Sequence, residues 1–442
     1  MFRNYHHIHF IGIGGSGISA LAHLALAEGK RVTGSDGGES LFTHAVREAG
    51  GEVMMGHHAD HVSNDVDLVI YTEAIDKTNN PELEVSNDRR IKTMTYFQAL
   101  GEFSATKKTI VVAGTHGKTT TTAMLGLALI KAGMDPTVIV GSAVPAFGGK
   151  NLSIGIGDWL VVEACEYRRS FLNLHPFGAI VLNCEPDHLD YYKDEADYVD
   201  AFCELIRRLP SEGFLVGNGT DENVRRVANE FVGKTVFVAE EMVDKMNFHL
   251  QVPGAFNRWN ATHAYTAAEL AGGDAMRIRQ GIEDFKGTSR RMEVKGETNG
   301  ITIIDDYGHH PTEVKATLGA LKEHYPNRRL ICVFQPHQYS RTHELLAGFK
   351  TAFGDATKVI IPNIYAARDT EEDKAKINAE MLVKAIGEHH PDVVWGKDFE
   401  TTVALLQKEA KPGDVIVTMG AGNITQLSTL LCENKDHEIS LH

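Results

Sequence analysis

Residues 111–120 read VVAGTHGKTT: an apolar run, two glycines, then at once a lysine and two threonines. The common phosphate loop is G-x-x-x-x-G-K-[ST], and Val112 stands where its first glycine belongs, so the full pattern is broken. Two readings follow. The stretch is either an ordinary strand-to-helix turn or a shortened phosphate loop. In the second reading Gly114, Thr115, His116 and Gly117 make an anion-holding turn. Lys118 supplies a point charge to the terminal phosphates, and Thr119 and Thr120 open the helix, with the Thr119 hydroxyl available to Mg2+. The helix TTTAMLGLALIKAG follows directly, so its positive end adds to the grip.

A nucleotide held there needs metal ligands from neighbouring strand ends. VVEACEY places Glu163 at the end of an apolar strand, and NCEPDHLDYY places Asp187, His188 and Asp190 just past another. Magnesium prefers oxygen ligands and keeps waters, so Thr119, one carboxylate and phosphate oxygens suffice. A lone strand-end glutamate is more often simply solvated. The placement of these groups beside the loop argues for ligands.

A second glycine loop lies at the N-terminus. In HIHFIGIGGSGISALA, Gly12, Gly14 and Gly17 form G-x-G-x-x-G between a strand and a helix, and Asp36 ends the next strand. That geometry aims backbone N–H groups at a pyrophosphate, with the acid on a ribose. NAD(P), FAD and a UDP-sugar all satisfy it, and so does a glycine turn needed only for packing.

Outward from these loops, the chain of 442 residues is long enough for two to four domains. Strand-like runs at HIHFI, TIVVAG and GITIIDDYG each open an alternating strand–helix series. The expected fold class is α/β: three domains with mostly parallel sheets, spanning residues 1–104, 105–296 and 297–442. The polar stretch GEFSATKKT near residues 100–108 reads as a linker, and CENKDHEISLH as a frayed tail. A net charge of −15 opposes broad binding to nucleic acid or anionic membrane, and no apolar run is long enough to span a bilayer. Five cysteines lie far apart without C-x-x-C, and the N-terminus lacks a signal-peptide core, so a cytoplasmic setting is expected. His6, His7 and His9 read as surface or packing residues.

Six segments together resemble the muramyl (Mur) ligase family: HFIGIGGSGISALA, AGTHGKTTTTAML, PDHLDYY, DDYGHHPTEVKATL, FQPHQYSRT and MGAGNI, in that order along nearly the whole chain. The family carries G-T-[NH]-G-K-T-T in place of the longer loop. The resemblance implies a Rossmann-like UDP-binding domain, a P-loop ATPase-like central domain and a Rossmann-like C-terminal domain that takes the amino acid. It implies ATP and Mg2+, and the joining of L-alanine to the carboxylate of UDP-N-acetylmuramate through an acyl phosphate. The protein would then act as a monomer or weak homodimer.

Residue by residue, Gly12, Gly14, Gly15 and Gly17 would hold the UDP pyrophosphate, with Asp36 and His57 on the uridine side. Lys118 and Thr119 would hold ATP phosphates and metal, Glu163 that magnesium, and His188 a second one. Asn257, Asn260, Arg291 and Asp306 would meet ATP. Tyr307, His309, His337 and Arg341 would surround alanine. Phe256 stands where relatives often carry histidine, and Cys165 where many carry aspartate, so Glu163 alone is carried over as a ligand from that segment. Gln338 replaces a common arginine, which shifts the alanine carboxylate toward Arg341. No lysine lies between Lys193 and Lys234, so the carbamylated-lysine bridge of some members is expected to be absent. A ligase that attaches a whole murein tripeptide and, from another class, a nicotinamide-dependent oxidoreductase are the alternatives.

Overall fold

A computed structural model describes residues 2–188, 190–367 and 369–433. It contains three sheets. The first is built from β1 (His7–Ile11), β2 (Arg31–Asp36), β3 (Glu52–Met55), β4 (Leu68–Tyr71) and β5 (Lys92–Thr95), ordered β3-β2-β1-β4-β5 and parallel throughout. The chain leaves β1 to one side and later returns to the other, so the crevice beyond β1 is a topological switch point, where open α/β sheets bind ligands. β1 is buried along its whole length, as a central parallel strand must be.

The second sheet comprises β6 (Lys108–Ala113), β7 (Thr137–Val144), β8 (Lys150–Ser153), β9 (Trp159–Glu163), β10 (Pro176–Val181), β11 (Phe214–Asn218) and β12 (Lys234–Val238), ordered β12-β11-β10-β6-β9-β7-β8. Only β7 and β8 pair antiparallel. The register sets Val112 of β6 against Glu163 of β9, which puts the end of β9 level with the start of the GTHGKT loop. The third sheet holds β13 (Glu293–Thr298), β14 (Ile301–Asp306), β15 (Leu330–Phe334), β16 (Lys358–Pro362), β17 (Val393–Lys397) and β18 (Val415–Met419), ordered β13-β14-β18-β15-β16-β17, with β13 the antiparallel edge.

Contacts divide the chain into two compact units. Unit 1 joins Met1–Asp187, Asp194–Phe248 and Asn260–Phe285, and therefore holds the first two sheets. Unit 2 joins His188–Lys193, His249–Trp259 and Lys286–His442, around the third sheet.

The linker expected near residue 100 is corrected. Tyr96–Ser104 is a helix, capped by Thr95, whose hydroxyl accepts from the Gln98 N–H while the Gln98 side chain accepts from the Thr95 N–H. Its polar outer face hid an inner one of Ala99, Leu100 and Phe103, all buried. This helix docks the first sheet onto the second, with Gly101 at the contact. A Cβ there would lie 2.3 Å from the Asn173 carbonyl oxygen, so the backbones meet because nothing stands between them. Of the expected C-terminal tail, Cys432 and Glu433 finish the helix Thr425–Glu433, and residues 434–442 lie outside the described residues.

Gly101→Ala should lower the stability of unit 1 by about 1–3 kcal/mol, since backbone cannot yield as a side chain does. Gly37→Ala, where an added Cβ meets nothing within 4 Å, is the control expected to melt like the parent. Thermal unfolding of the two variants checks the difference.

Candidate functional site

Beyond β1, the glycine loop opens the helix Ser16–Ala27, whose N-cap Gly15 gives no side-chain cap and whose first turn holds no acid. Beyond β6, Gly117 sits at φ 85° and opens the helix Lys118–Lys131, again without a side-chain cap. Ser40, Asn80, Thr95, Asp194, Asp221 and Asp274 all cap the helices that follow them. The two glycine-led helices thus keep their first N–H groups for another acceptor.

In the first loop, Gly14 donates its N–H to Asp36 Oδ2 at 2.8 Å, and a Cβ on Gly14 would come within 2.9 Å of that oxygen. Gly12 and Ile13 donate to the Ser35 carbonyl oxygen. Asp36, expected on a ribose, is therefore engaged by the loop itself. His57 lies beside it: Gly56 donates to the Asp36 carbonyl oxygen, and His57 Nδ1 lies 3.0 Å from Ser35 Oγ. The structure thus gathers Gly12, Gly14, Gly15, Gly17, Asp36 and His57 at one sheet end.

In the second loop, Lys118 Nζ donates to the Glu166 carboxylate at 3.0 Å and to the Thr115 carbonyl oxygen at 3.1 Å. Burial alone would lower the lysine pKa, but the charge and hydrogen bond of Glu166, together with the neighbouring Cys165 and Glu163, more than offset it and hold the ammonium above its ordinary value. Thr119 Oγ1 donates to Glu163 Oε2 at 3.1 Å, and the Gly141 N–H donates to the other carboxylate oxygen. A Cβ on Gly141 would meet Glu163 at 2.9 Å, so glycine in the middle of β7 lets the strand come this close. Thr115 Oγ1 donates to the Glu185 carbonyl oxygen and lies 2.9 Å from Tyr198 Oη, while His116 Nε2 lies 2.8 Å from Glu185 Oε2. The Asn260 side chain lies against Gly117, 2.7 Å from where a Cβ would stand. Burial and the charge of Glu166 push the Cys165 thiol up to about 12, so it stays neutral in the ligand-free protein.

Unit 2 gathers the remaining expected residues around the ends of β14 and β15. Asp306 is buried, accepts from the Met292 and Gly308 N–H groups at 2.8 Å each, and is pushed up to about 6 by burial against the pull of Arg291. The guanidiniums of Arg290 and Arg291 lie 4.8 and 5.1 Å from the Tyr307 ring centre. Tyr307, His309, His337 and Tyr365 form a row of rings, and Arg341 Nη1 lies 3.2 Å from His337 Nδ1. Gln338 is buried at φ 70° and donates its N–H to the Tyr365 carbonyl oxygen, so it builds the turn that presents Arg341. His188 and Asn257 fall in segments that pack with this unit; the His188 carbonyl oxygen accepts from the Tyr191 and Tyr192 N–H groups, and Asn257 Nδ2 donates to the Pro253 carbonyl oxygen.

Three family models match in chain order: the Mur ligase family catalytic domain over residues 7–108, the Mur ligase middle domain over 112–244, and the Mur ligase glutamate ligase domain over 290–422. Among curated relatives, UDP-N-acetylmuramate–L-alanine ligase of Acetivibrio thermocellus is 40% identical across 98% of this chain and 97% of its own. The chain belongs to the Mur ligase family. The enzyme of the same name from Alkaliphilus metalliredigens is 38% identical across 97% of each chain. The crystal structure of the UDP-N-acetylmuramate–alanine ligase of Thermotoga maritima aligns with a TM-score of 0.79 at 26% identity, covering 96% of this chain and 98% of that one. A murein peptide ligase of Psychrobacter arcticus aligns at 0.72 and 23% identity over 99% and 100% of the two chains, a likeness of fold. Three α/β domains with mostly parallel sheets are thus the architecture of this Mur ligase, as expected.

Sequence reading missed Glu166, Gly141, Glu185 and Tyr198. Gly141 carried a signal, a glycine directly after the apolar strand TVIV. The others reach their partners only through the fold.

Lys118→Ala would leave the Glu166 carboxylate buried without its cation. It should destabilise the ligand-free protein by about 3–5 kcal/mol, and adding Glu166→Gln should recover most of that loss. Urea unfolding of the two single variants and the double variant measures the coupling. Asp306 gives a second, pH-dependent expectation. Its folded pKa of about 6 exceeds the ordinary 3.8, so the folded state takes the proton first and this group's contribution to stability is lost as pH rises through about 6. Relative to Asp306→Asn, the parent should gain up to about 3 kcal/mol on going from pH 7 to pH 4, read by urea unfolding across that range.

Proposed function

We propose that the chain joins L-alanine to the carboxylate of UDP-N-acetylmuramate with ATP as the energy source, yielding UDP-N-acetylmuramoyl-L-alanine, ADP and phosphate. The observation that carries this reading is the end-to-end similarity to alanine-adding relatives with both glycine loops intact. A carboxylate resists attack by an amine because oxide is too poor a leaving group. In the proposed reaction the carboxylate oxygen attacks the γ-phosphorus and ADP departs. The neutral amine of alanine then adds to the acyl phosphate carbonyl, and phosphate leaves with the C–O electron pair.

Within that scheme Lys118 exchanges Glu166 for terminal phosphate oxygens, and the open helix end beside Gly117 takes others. Thr119 and Glu163 offer oxygen donors 3.1 Å apart, a set that fits magnesium; when bound, the ion would neutralise charge on the transferring phosphoryl group. His188 is proposed for a second ion. Gly141 would keep the Glu163 carboxylate from swinging away. Asn257, Asn260, Arg291 and Asp306 are proposed to contact ATP. Tyr307, His309, His337 and Arg341 would shape the alanine pocket, with Arg341 answering the amino-acid carboxylate. The nicotinamide-dependent alternative leaves Lys118, Thr119 and Glu163 without a task.

Purified protein given ATP, Mg2+, UDP-N-acetylmuramate and single amino acids should form the alanine adduct, detected by mass, with stoichiometric phosphate release. Adduct formation only with a murein tripeptide would favour the recycling ligase, and neither product would defeat the reading. Glu163→Gln should lower turnover by about a hundredfold or more.

A further inference from the structure

Behind the first loop lies a buried polar web that none of the proposed steps uses. Glu82, in the helix Pro81–Asp88, has a side chain wholly removed from water. Its Oε1 lies 3.2 Å from His9 Nε2 and 3.2 Å from His61 Nδ1; its Oε2 accepts from Ser35 Oγ at 2.7 Å and lies 2.8 Å from His57 Nδ1. Four donors thus converge on one carboxylate, filling its lone pairs.

The carboxylate is ionised, and a polar row runs behind it. Asp65, His7, Thr33, His9 and Glu82 stand in sequence, joined by contacts of 3.0, 3.0, 2.8 and 3.2 Å. Burial holds the His7 ring below the ordinary histidine pKa against the pull of Asp65, so the row is one of polar contacts between rings, hydroxyl and acids. Although burial raises the Glu82 pKa, the bonds from His9 and Ser35 more than offset it and leave it below the usual carboxylate value.

An ionised Glu82 only accepts, so the His57 nitrogen facing it must carry hydrogen. In the neutral ring that leaves Nε2 as a bare acceptor. The His57 side chain is 28% exposed, and no hydrogen bond to its Nε2 is found among the described residues. The ring stands just past β3, beside the end of β2, where a nucleoside lies in a sheet of this topology.

We propose that Glu82 is a positioning residue that locks His57 as the Nδ1–H tautomer, so that Nε2 accepts the ring N–H of a uracil base and selects it over cytosine. Uracil offers a hydrogen at N3, whereas cytosine presents a lone pair there that would face the Nε2 lone pair. The proposal rests on the reading that the first loop holds a UDP-linked substrate.

The test uses the full chain. Nitrogen-15 NMR of the parent protein should show His57 Nδ1 protonated and Nε2 bare. Calorimetry should show UDP binding about tenfold or more tighter than CDP. Glu82→Gln, whose amide can face either tautomer, should shrink that preference and raise KM for the UDP-sugar while leaving KM for ATP and alanine unchanged. A His57 ring protonated at Nε2, or a preference untouched in Glu82→Gln, overturns the proposal while leaving UDP binding intact. Should Glu82→Gln fail to fold, the parent's NMR spectrum decides alone. If the parent binds neither UDP nor CDP, the reading of the first loop fails, and the proposal with it.

Discussion

Both glycine loops of unit 1 already hold a carboxylate of their own. Asp36 accepts from the first loop through Gly14, and Glu166 occupies the lysine of the second. A converging set of backbone N–H groups, or an ammonium removed from water, is costly without negative charge nearby. The fold meets that demand with carboxylates from the same unit. A phosphate proposed for either loop would compete with one of them, so the favourable contacts it made would be partly offset by those it broke. Selectivity then rests on shape and on the number of oxygens presented, which a phosphate chain supplies and a single carboxylate does not.

The two loops keep a fixed relation because the first two sheets meet through absent side chains. Gly101 lets the helix Tyr96–Ser104 touch the Asn173 carbonyl, and Gly17 lets the Tyr96 ring lie on the first loop, 2.6 Å from where a Cβ would be. Asn151 at β8 donates to the Ser16 carbonyl oxygen at the start of the loop helix. Burial and the nearby Glu163 raise the Tyr96 pKa, which places that ring within the field of the second loop's carboxylate. One tyrosine at a capped helix start thus feels both loops.

Local features were readable from sequence. G-x-G-x-x-G, THGKTT and the strand-end acids Asp36 and Glu163 declare themselves through neighbours a few positions away, and the structure sets them where strand ends converge. Glu82 and Glu166 were not readable, because their meaning lies in partners brought together by the fold: Glu82 meets histidines 73 and 25 positions away, and Glu166 a lysine 48 positions away. His7 and His9 read as surface or packing residues. They are buried, as packing residues are, but what they contribute is a hydrogen-bonded row rather than apolar contact. The polar stretch after residue 100 misled because composition describes the outer face of a helix and says nothing of its inner one.

Backbone strain marks many of the same segments. Arg168 and Arg169, at φ 52° and 56°, follow the strand that delivers Glu163; Arg290 and Met292, at 60° and 48°, flank Arg291; His188 sits at 57° and Gln338 at 70°. Asn247 and Asn299 also take positive φ, but asparagine adopts that conformation readily. For arginine, methionine or glutamine each such turn costs on the order of 1 kcal/mol and persists only where the surroundings over-determine it. Arg169 shows how that is done: its guanidinium reaches the carboxylates of Asp197 and Glu204 on the helix Glu195–Ile206, which pins the segment after Glu166 in its tight turn. Arg90 and Lys397, at 58° and 57°, take the same conformation at connections away from the two loops, so it is the pin on Arg169, and not positive φ by itself, that ties strain to the segment after Glu166.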